Sequence, residues 1–131
     1  MNWKKFAAAL AVAFLAATAF DILLNGVLMR EAFALSAPYW RPPDELYKLI
    51  PLGWLAMLLS MSFTGVVFTR TGWIGIRRGL EFGLWLGLAA VVGVLGMATL
   101  VPWPMKLLVA MAVQQFGNSL ILGLLFGWKY K

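Results

Sequence analysis

Four long apolar runs, separated by short polar segments, dominate this 131-residue sequence. The runs cover residues 6–28, 51–69, 80–101 and 107–128. A helix needs about 20 apolar residues to cross the hydrocarbon core of a bilayer, and each run is close to that length. Helices are expected because lipid offers the backbone no hydrogen-bond partners, and the runs lack the two-residue alternation of barrel strands. The sequence therefore predicts an all-α integral membrane four-helix bundle, with residues 1–131 forming a single transmembrane domain.

The composition excludes an ordinary soluble fold. Charged residues make up only 12% of the chain, and the mean hydropathy is +0.86, whereas a soluble domain carries roughly 25% charged residues. The net charge of +6 would suggest nucleic acid as the partner of a soluble protein. Here the basic residues flank the apolar runs, where they determine topology. We therefore expect the lipid bilayer as partner and no nucleic acid.

The distribution of basic residues predicts the orientation of the bundle. One side carries Lys4, Lys5, Arg70, Arg77, Arg78, Lys129 and Lys131. The other side carries Arg30, Arg41, Lys48 and Lys106, together with the acids Glu31, Asp44 and Glu45. The side richer in Lys and Arg is expected to face the cytoplasm. The spans should therefore run antiparallel, up and down, with both termini cytoplasmic.

The connections between the runs differ in length. Residues 29–50 form the only long one, in which Pro42 and Pro43 precede two acids. Proline followed by acidic residues favours the start of a helix. We expect a short helix on the outer membrane surface, ending where Pro51 begins the second span. The connections at 70–79 and 101–106 are short, so the spans they join should be neighbours.

Glycines recur at a spacing of four residues in the last two runs. The third run and its start contain Gly79, Gly83 and Gly87, and the fourth contains Gly123 and Gly127. In lipid, small residues at this spacing let helix backbones approach closely. Packing within the bundle and a seam between two copies of the chain are both compatible with the pattern.

Asp21 is the only charged residue within the first run. A carboxyl group inside a membrane span is energetically costly, so such residues are usually functional or closely partnered. Asn25 lies four residues later and therefore on the same helix face. In the fourth run, Gln114 and Asn118 share a face, with Gln115 beside it. These five residues are the candidate polar site.

Helix geometry predicts that the two polar groups lie at the same depth. Asp21 is seven residues before Leu28, and Gln114 is seven residues after Leu107, so each lies about 10 Å from the outer end of its span. Two interpretations remain open. The groups form hydrogen bonds that hold helices together, or they line an outward-opening pocket in which Asp21 titrates or binds a cation.

The remaining polar residues suggest little chemistry. Glu81 follows Arg77 and Arg78 by four and three residues, which predicts an ion pair at the inner interface. The chain contains no His and no Cys, which removes the usual ligands of zinc, haem and iron–sulfur clusters and the usual catalytic triads. We expect no metal, no cofactor and no enzymatic activity.

Short motifs at both ends of the chain are similar to those of a known group of proteins. They are residues 21–26 (DILLNG), residues 40–42 (WRP), and residues 117–123 followed by Gly127 and a basic tail. Together they resemble small four-helix membrane proteins of bacteria that have no assigned activity, over most of the chain. The resemblance implies a four-helix fold in the bacterial inner membrane and the same polar positions, and it implies no chemistry.

Two functions are compatible with these features. The first is a binding or accessory component, a bundle that associates with itself or joins a larger membrane complex. The second is a small transporter or channel for protons, cations or small solutes, which would use the polar residues around Asp21. The absence of catalytic groups and the short soluble segments favour the first.

The sequence also predicts how a variant of Asp21 behaves. No Lys or Arg lies at its depth, and desolvation disfavours an unpaired charge, so we expect a neutral or proton-exchanging carboxyl group. Asp21→Asn should then fold nearly as well as the wild type, as measured by thermal unfolding in detergent. A severe loss of assembly in this variant would show that Asp21 is ionised and paired.

Overall fold

The regular structure of the chain consists of helices. The computed structural model describes residues 1–130, so Lys131, which the charge distribution assigned to the cytoplasmic side, lies outside the described residues. Within them there is no strand, and four helices are long and apolar enough to cross a membrane. The predicted all-α class with four membrane-length helices is therefore confirmed.

The elements follow the four apolar runs with shifted boundaries. They are α1 (Trp3–Leu23), a π-helical turn (Leu24–Leu28), α2 (Arg30–Ala34), a 3₁₀ turn (Ala37–Tyr39), α3 (Pro43–Arg70), α4 (Ile76–Ala98) and α5 (Met105–Lys129). We call the end of the bundle with the chain termini and the α3–α4 connection the terminal end. The opposite end, with residues 29–42 and 99–104, is the distal end.

The structure corrects the predicted boundary at Pro51. Pro43 does begin a helix, but this helix continues through Pro51 to Arg70 and is not a separate short element. Proline removes one backbone N–H donor, yet membrane-spanning helices tolerate it. At 28 residues, α3 is about 42 Å long, which exceeds the roughly 30 Å of a hydrocarbon core.

The α4–α5 pair is the most tightly packed part of the fold. A Cβ atom added to Gly79 would lie 2.1 Å from the backbone oxygen of Gly123, and one added to Gly123 would lie 2.2 Å from that of Gly79. Further along, a Cβ atom added to Gly83 would lie 2.6 Å from the backbone oxygen of Ser119, and one added to Gly87 would lie 2.7 Å from the ring of Phe116. The two backbones are thus in contact and antiparallel. The glycine spacing serves packing within the chain.

Small residues also bring α1 against α5. The side chains of Ala9, Ala13 and Ala17, one helical turn apart, are fully buried. They belong to an apolar core at the terminal end, which we call the terminal core and which consists of Phe6, Ala9, Ala13, Ala17, Met61, Phe68, Leu122 and Phe126. Phenylalanine rings meet edge to face within it, with centroids 5.6 Å apart for Phe6 and Phe126. This core fills the terminal half of the bundle with closely packed apolar side chains.

Helix α3 is attached to the bundle only near the terminal end. Its buried residues are Met61, Gly65 and Phe68, all in its last third. Gly65 packs against the rings of Phe126 and Phe6. No residue between Pro43 and Ser60 is buried, so the first part of α3 stands away from α4 and α5. This divergence leaves space beside the level of Asp21.

The glycine contacts predict opposite effects for two matched substitutions in α4. Gly79→Ala places a methyl group into the backbone of α5 and should lower the free energy of unfolding by about 1–3 kcal/mol. Gly93→Ala meets nothing within 4 Å and should raise it by about 0.5–1 kcal/mol. Unfolding of both variants in mixed micelles measures the difference. Equal effects would contradict the close α4–α5 contact.

A polar cluster around Asp21

Helices α1 and α5 bring the carboxyl group of Asp21 against two amide side chains. Gln114 Nε2 donates a hydrogen bond to Asp21 Oδ1 at 2.9 Å, and Asn118 Nδ2 donates to the same oxygen at 2.8 Å. The two amides lie one turn apart on α5, so they reach this oxygen from either side. We call these three residues the Asp21 cluster. The residues that the depth argument placed at one level are therefore in direct contact.

Oxygen atoms without partners surround this cluster. Asp21 Oδ2 accepts no hydrogen bond from residues 1–130, and it is not among the fully buried unpaired atoms. Thr18 Oγ1, Asn25 Oδ1 and Asn118 Oδ1 are buried and have no hydrogen-bond partner within the described part of the chain. Burying a polar group without a hydrogen bond costs about 1–3 kcal/mol by mutational data. The two amide oxygens can only accept, whereas the Thr18 hydroxyl can both donate and accept. All three can therefore accept a hydrogen bond from a bound donor.

Two cavities open onto Asp21. The lateral cleft, of about 430 Å³, lies between α3 and the α4–α5 pair, with the Asp21 cluster at its base and Ser60 and Thr64 on its α3 wall. The α1–α3 groove, of about 520 Å³, is lined by Thr18, Asp21 and Asn25 and bordered by Trp54 and Met57 on α3. Both cavities exist because α3 diverges from the bundle.

A third cavity connects this region with the distal end. The distal chamber has a volume of about 400 Å³, and its walls combine four aromatic rings with three amides: Phe33, Tyr39, Trp40, Trp103, Asn25, Gln114 and Gln115. Asn25 also lines the α1–α3 groove, and both glutamines also line the lateral cleft. The three cavities therefore share amide side chains in their walls, although Asp21 itself lines only the cleft and the groove. We call these shared amides, which lie between the distal chamber and the cavities at Asp21, the polar approach.

Hydrogen bonds fix two of the aromatic side chains that line the distal chamber, Tyr39 and Trp40. Tyr39 donates its hydroxyl to the backbone oxygen of Pro102 at 3.0 Å, which joins the long connection to the α4–α5 turn. Trp40 Nε1 donates to Ser36 Oγ, and Ser36 Oγ donates to the backbone oxygen of Phe33. The sequence predicted that both segments lie on one side of the membrane, but it carries no signal for this pairing.

Two of the predicted site residues lie beside the cluster and form no hydrogen bond to Asp21. Gln115 is exposed, faces the cavities, and accepts a hydrogen bond from Ser119 Oγ through its backbone oxygen. Asn25 lies in the π-helical turn, where the N–H of Met29 donates to the oxygen of Leu24 at 2.8 Å. Asn25 lines the α1–α3 groove together with Asp21, and the two side chains form no hydrogen bond with each other.

The predicted inner ion pair forms with one of its two arginines. Arg78 Nη1 lies 2.7 Å from Glu81 Oε2, whereas Arg77 is in no ion pair within residues 1–130. The guanidinium of Arg78 also lies 5.4 Å from the ring centre of Trp73, which favours the orientation toward Glu81. The two paired side chains are 55% and 39% exposed, so the pair contributes little stability. The terminal core separates it from the Asp21 cluster.

The described residues contain no group of three or more His, Cys, Asp or Glu side chains placed to hold a metal ion. Asp21 is the only acid in its cluster, and its neighbours there are amides.

Comparisons of the chain with protein-family models, with curated protein sequences and with solved structures found no match. The function must therefore be argued from the cavities and the polar cluster.

Cysteine labelling tests the polar approach cleanly, because the chain has no native cysteine. Asn25→Cys lies where the groove and the chamber meet, so a hydrophilic methanethiosulfonate reagent should modify it readily. Ala13→Cys in the terminal core and Leu15→Cys on the exposed apolar face of α1 are the controls. Both should react at least roughly tenfold more slowly, since thiolates form poorly in apolar surroundings. Equal rates at the three positions would exclude a hydrated route.

Proposed function

We propose that this protein binds a small cationic hydrogen-bond donor at Asp21, in the outer half of the membrane, as a binding or accessory component of that membrane. The observation that carries the proposal is the excess of acceptor oxygens around Asp21 that have no donor partner among the described residues. A cation such as an ammonium ion supplies both the missing donors and the charge that a carboxylate attracts.

Charge balance explains how such a site is compatible with its depth. An uncompensated charge inside a membrane is costly, and a carboxyl group there remains neutral or is paired. A cation bound at Asp21 supplies such a partner, since Asp21 is in no ion pair within residues 1–130.

The charge distribution supports an orientation with the distal end outside. Basic residues, among them Lys4, Lys5 and Arg70, concentrate at the terminal end, and such segments face the cytoplasm. In this orientation both termini are cytoplasmic, in a bacterial inner membrane. Because α3 as a whole is longer than the hydrocarbon core is thick, we assign its first two turns, from Pro43 to Ile50, to the outer surface together with residues 29–42. They take the place of the separate surface helix expected from the sequence.

The terminal core favours binding over conduction. Below the Asp21 cluster, large side chains such as Phe6, Phe68 and Phe126 pack together, and each is at most 6% exposed. A continuous ion path would have to cross this layer, which offers no polar groups to replace the hydration of an ion. The outer site is therefore accessible from one side.

Transport is the second candidate function, and one observation favours it. Only the last third of α3 is buried in the bundle, so a movement of α3 would change access to Asp21 while the α4–α5 pair stays rigid. Of the four membrane-length helices, α3 also has the smallest buried share. We place the proposed contact with a second copy or with a larger membrane complex on the exposed side of α3.

A binding measurement on the protein in phosphatidylcholine nanodiscs tests the proposal. Ammonium chloride and methylammonium chloride should raise the unfolding temperature of the protein relative to a lithium chloride buffer of equal ionic strength. Saturation at 100 times the dissociation constant corresponds to about 2.7 kcal/mol of stabilisation. Asp21→Asn keeps the acceptor for Gln114 and Asn118 but loses the charge, so the stabilisation should largely disappear.

The control for this experiment is Glu81→Gln, which removes the acid of the Arg78 ion pair. This variant should leave the stabilisation by ammonium unchanged. Stabilisation that is equal in the wild type and in Asp21→Asn would refute the proposed site. The same chains in proteoliposomes separate the two functions. Flux of methylammonium that depends on Asp21 would assign transport, and binding without flux would assign the accessory role.

A further inference from the structure

The distal chamber restricts the chemical class of the ligand. We infer that the cation bound at Asp21 is an organic ammonium compound whose apolar body, one ring in size, occupies the distal chamber. This inference rests on the proposed function and specifies its ligand. Three properties of the chamber carry it: its aromatic walls, its charge and its volume.

The walls present aromatic rings that the surrounding hydrogen bonds hold in place. Tyr39 is fixed through Pro102, and Trp40 through Ser36, while Trp103 lies on the wall contributed by the α4–α5 turn. Faces of Trp and Tyr attract organic cations within about 6 Å of the ring centre, and aromatic surroundings of this kind recognise alkylated ammonium groups. An inorganic cation of the size of sodium would leave these rings without a contact.

The charge of the chamber matches the same ligand class. No Lys, Arg, Asp or Glu lines it. Its polar groups include the amides of Asn25, Gln114 and Gln115, of which Gln114 is hydrogen-bonded to Asp21. Because the chamber itself carries no charge, it does not repel a cation. The nearest acid is Asp21, which is hydrogen-bonded to the wall residue Gln114 and attracts the cation toward its carboxyl group. An anionic ligand would find no basic side chain there.

The volume sets the upper limit on size. About 400 Å³ lies near the lower end of the range for small-molecule sites, roughly 300–1,000 Å³. One aromatic or branched aliphatic group therefore fits between the rings, with its ammonium group directed toward Asn25 and Gln114. The soft side chain of Met111 forms part of the chamber wall and adapts to different shapes.

A ligand series tests this inference on the full chain in phosphatidylcholine nanodiscs, with dissociation constants from isothermal titration calorimetry. The probes are ammonium, methylammonium, benzylammonium and the neutral benzyl alcohol. We expect benzylammonium to bind at least tenfold more tightly than methylammonium, and benzyl alcohol to bind no better than to empty nanodiscs. Asp21→Asn should weaken both alkylated cations by the same factor.

Two tryptophan variants form the matched pair. Trp103→Ala should weaken benzylammonium binding by roughly 2- to 30-fold, the range for one cation–π contact, and Trp103→Phe should weaken it less. Trp85→Ala is the control, because Trp85 is 63% exposed on α4 and lines none of the three cavities. It should leave the affinity unchanged. Unfolding temperatures of the variants show that the fold is retained.

The possible results separate this inference from the proposed function. If ammonium binding depends on Asp21 but the benzyl group adds no affinity and Trp103→Ala has no effect, the ligand class is overturned and the proposed site stands. If no ammonium compound binds, or if binding is the same in Asp21→Asn, both are overturned. Tighter binding of benzyl alcohol than of benzylammonium would also overturn the ligand class, because the chamber would then select for apolarity alone.

Discussion

Hydrocarbon offers no hydrogen bonds, and this constraint determines most of the structure. Backbone groups within the apolar runs must pair inside their own helices. Four helices form in this way, and each is long and apolar enough to cross a membrane. The same constraint applies to side chains. The hydroxyl groups of Ser62 and Thr64 donate to backbone oxygens one turn earlier in α3. Asp21 cannot be satisfied by its own helix and instead recruits two amides from α5. The requirement is not met at Thr18, Asn25 and Asn118, and the proposed ligand would supply the missing partners.

The bundle is built asymmetrically along its length. In the terminal half, glycines of α4 touch the backbone of α5, alanines of α1 are fully buried, and phenylalanines fill the remaining space. In the distal half, α4 and α5 remain packed at Val94, Leu107 and Ala110. Helix α3 diverges there, and a Cβ atom added at its Gly53 would meet nothing within 4 Å. The cavities beside the Asp21 cluster therefore arise from the divergence of α3 and not from loose packing of the other helices.

The polar cluster is compatible with both of the roles that the sequence presented as alternatives. Hydrogen bonds from Gln114 and Asn118 to one carboxyl oxygen join α1 to α5, as interhelical contacts do. The other carboxyl oxygen remains directed at the cavities. A group that is held by one atom and open at the other is positioned for binding without losing its structural contact. The amides therefore orient Asp21 and at the same time line the route to it.

Sequence alone was sufficient for the fold class and for the common depth of Asp21 and Gln114, because both follow from residue periodicity and from the thickness of hydrocarbon. It was not sufficient for the continuity of α3 through Pro51, since a proline is equally compatible with a helix start. It also did not show that Arg77 stays outside the ion pair, that Leu24–Leu28 form a π-helical turn, or that Tyr39 bonds to Pro102. Those features depend on contacts between segments far apart in the chain. Apolar patterning specifies which residues avoid water, but only the packed helices decide which polar groups meet and where space is left between them.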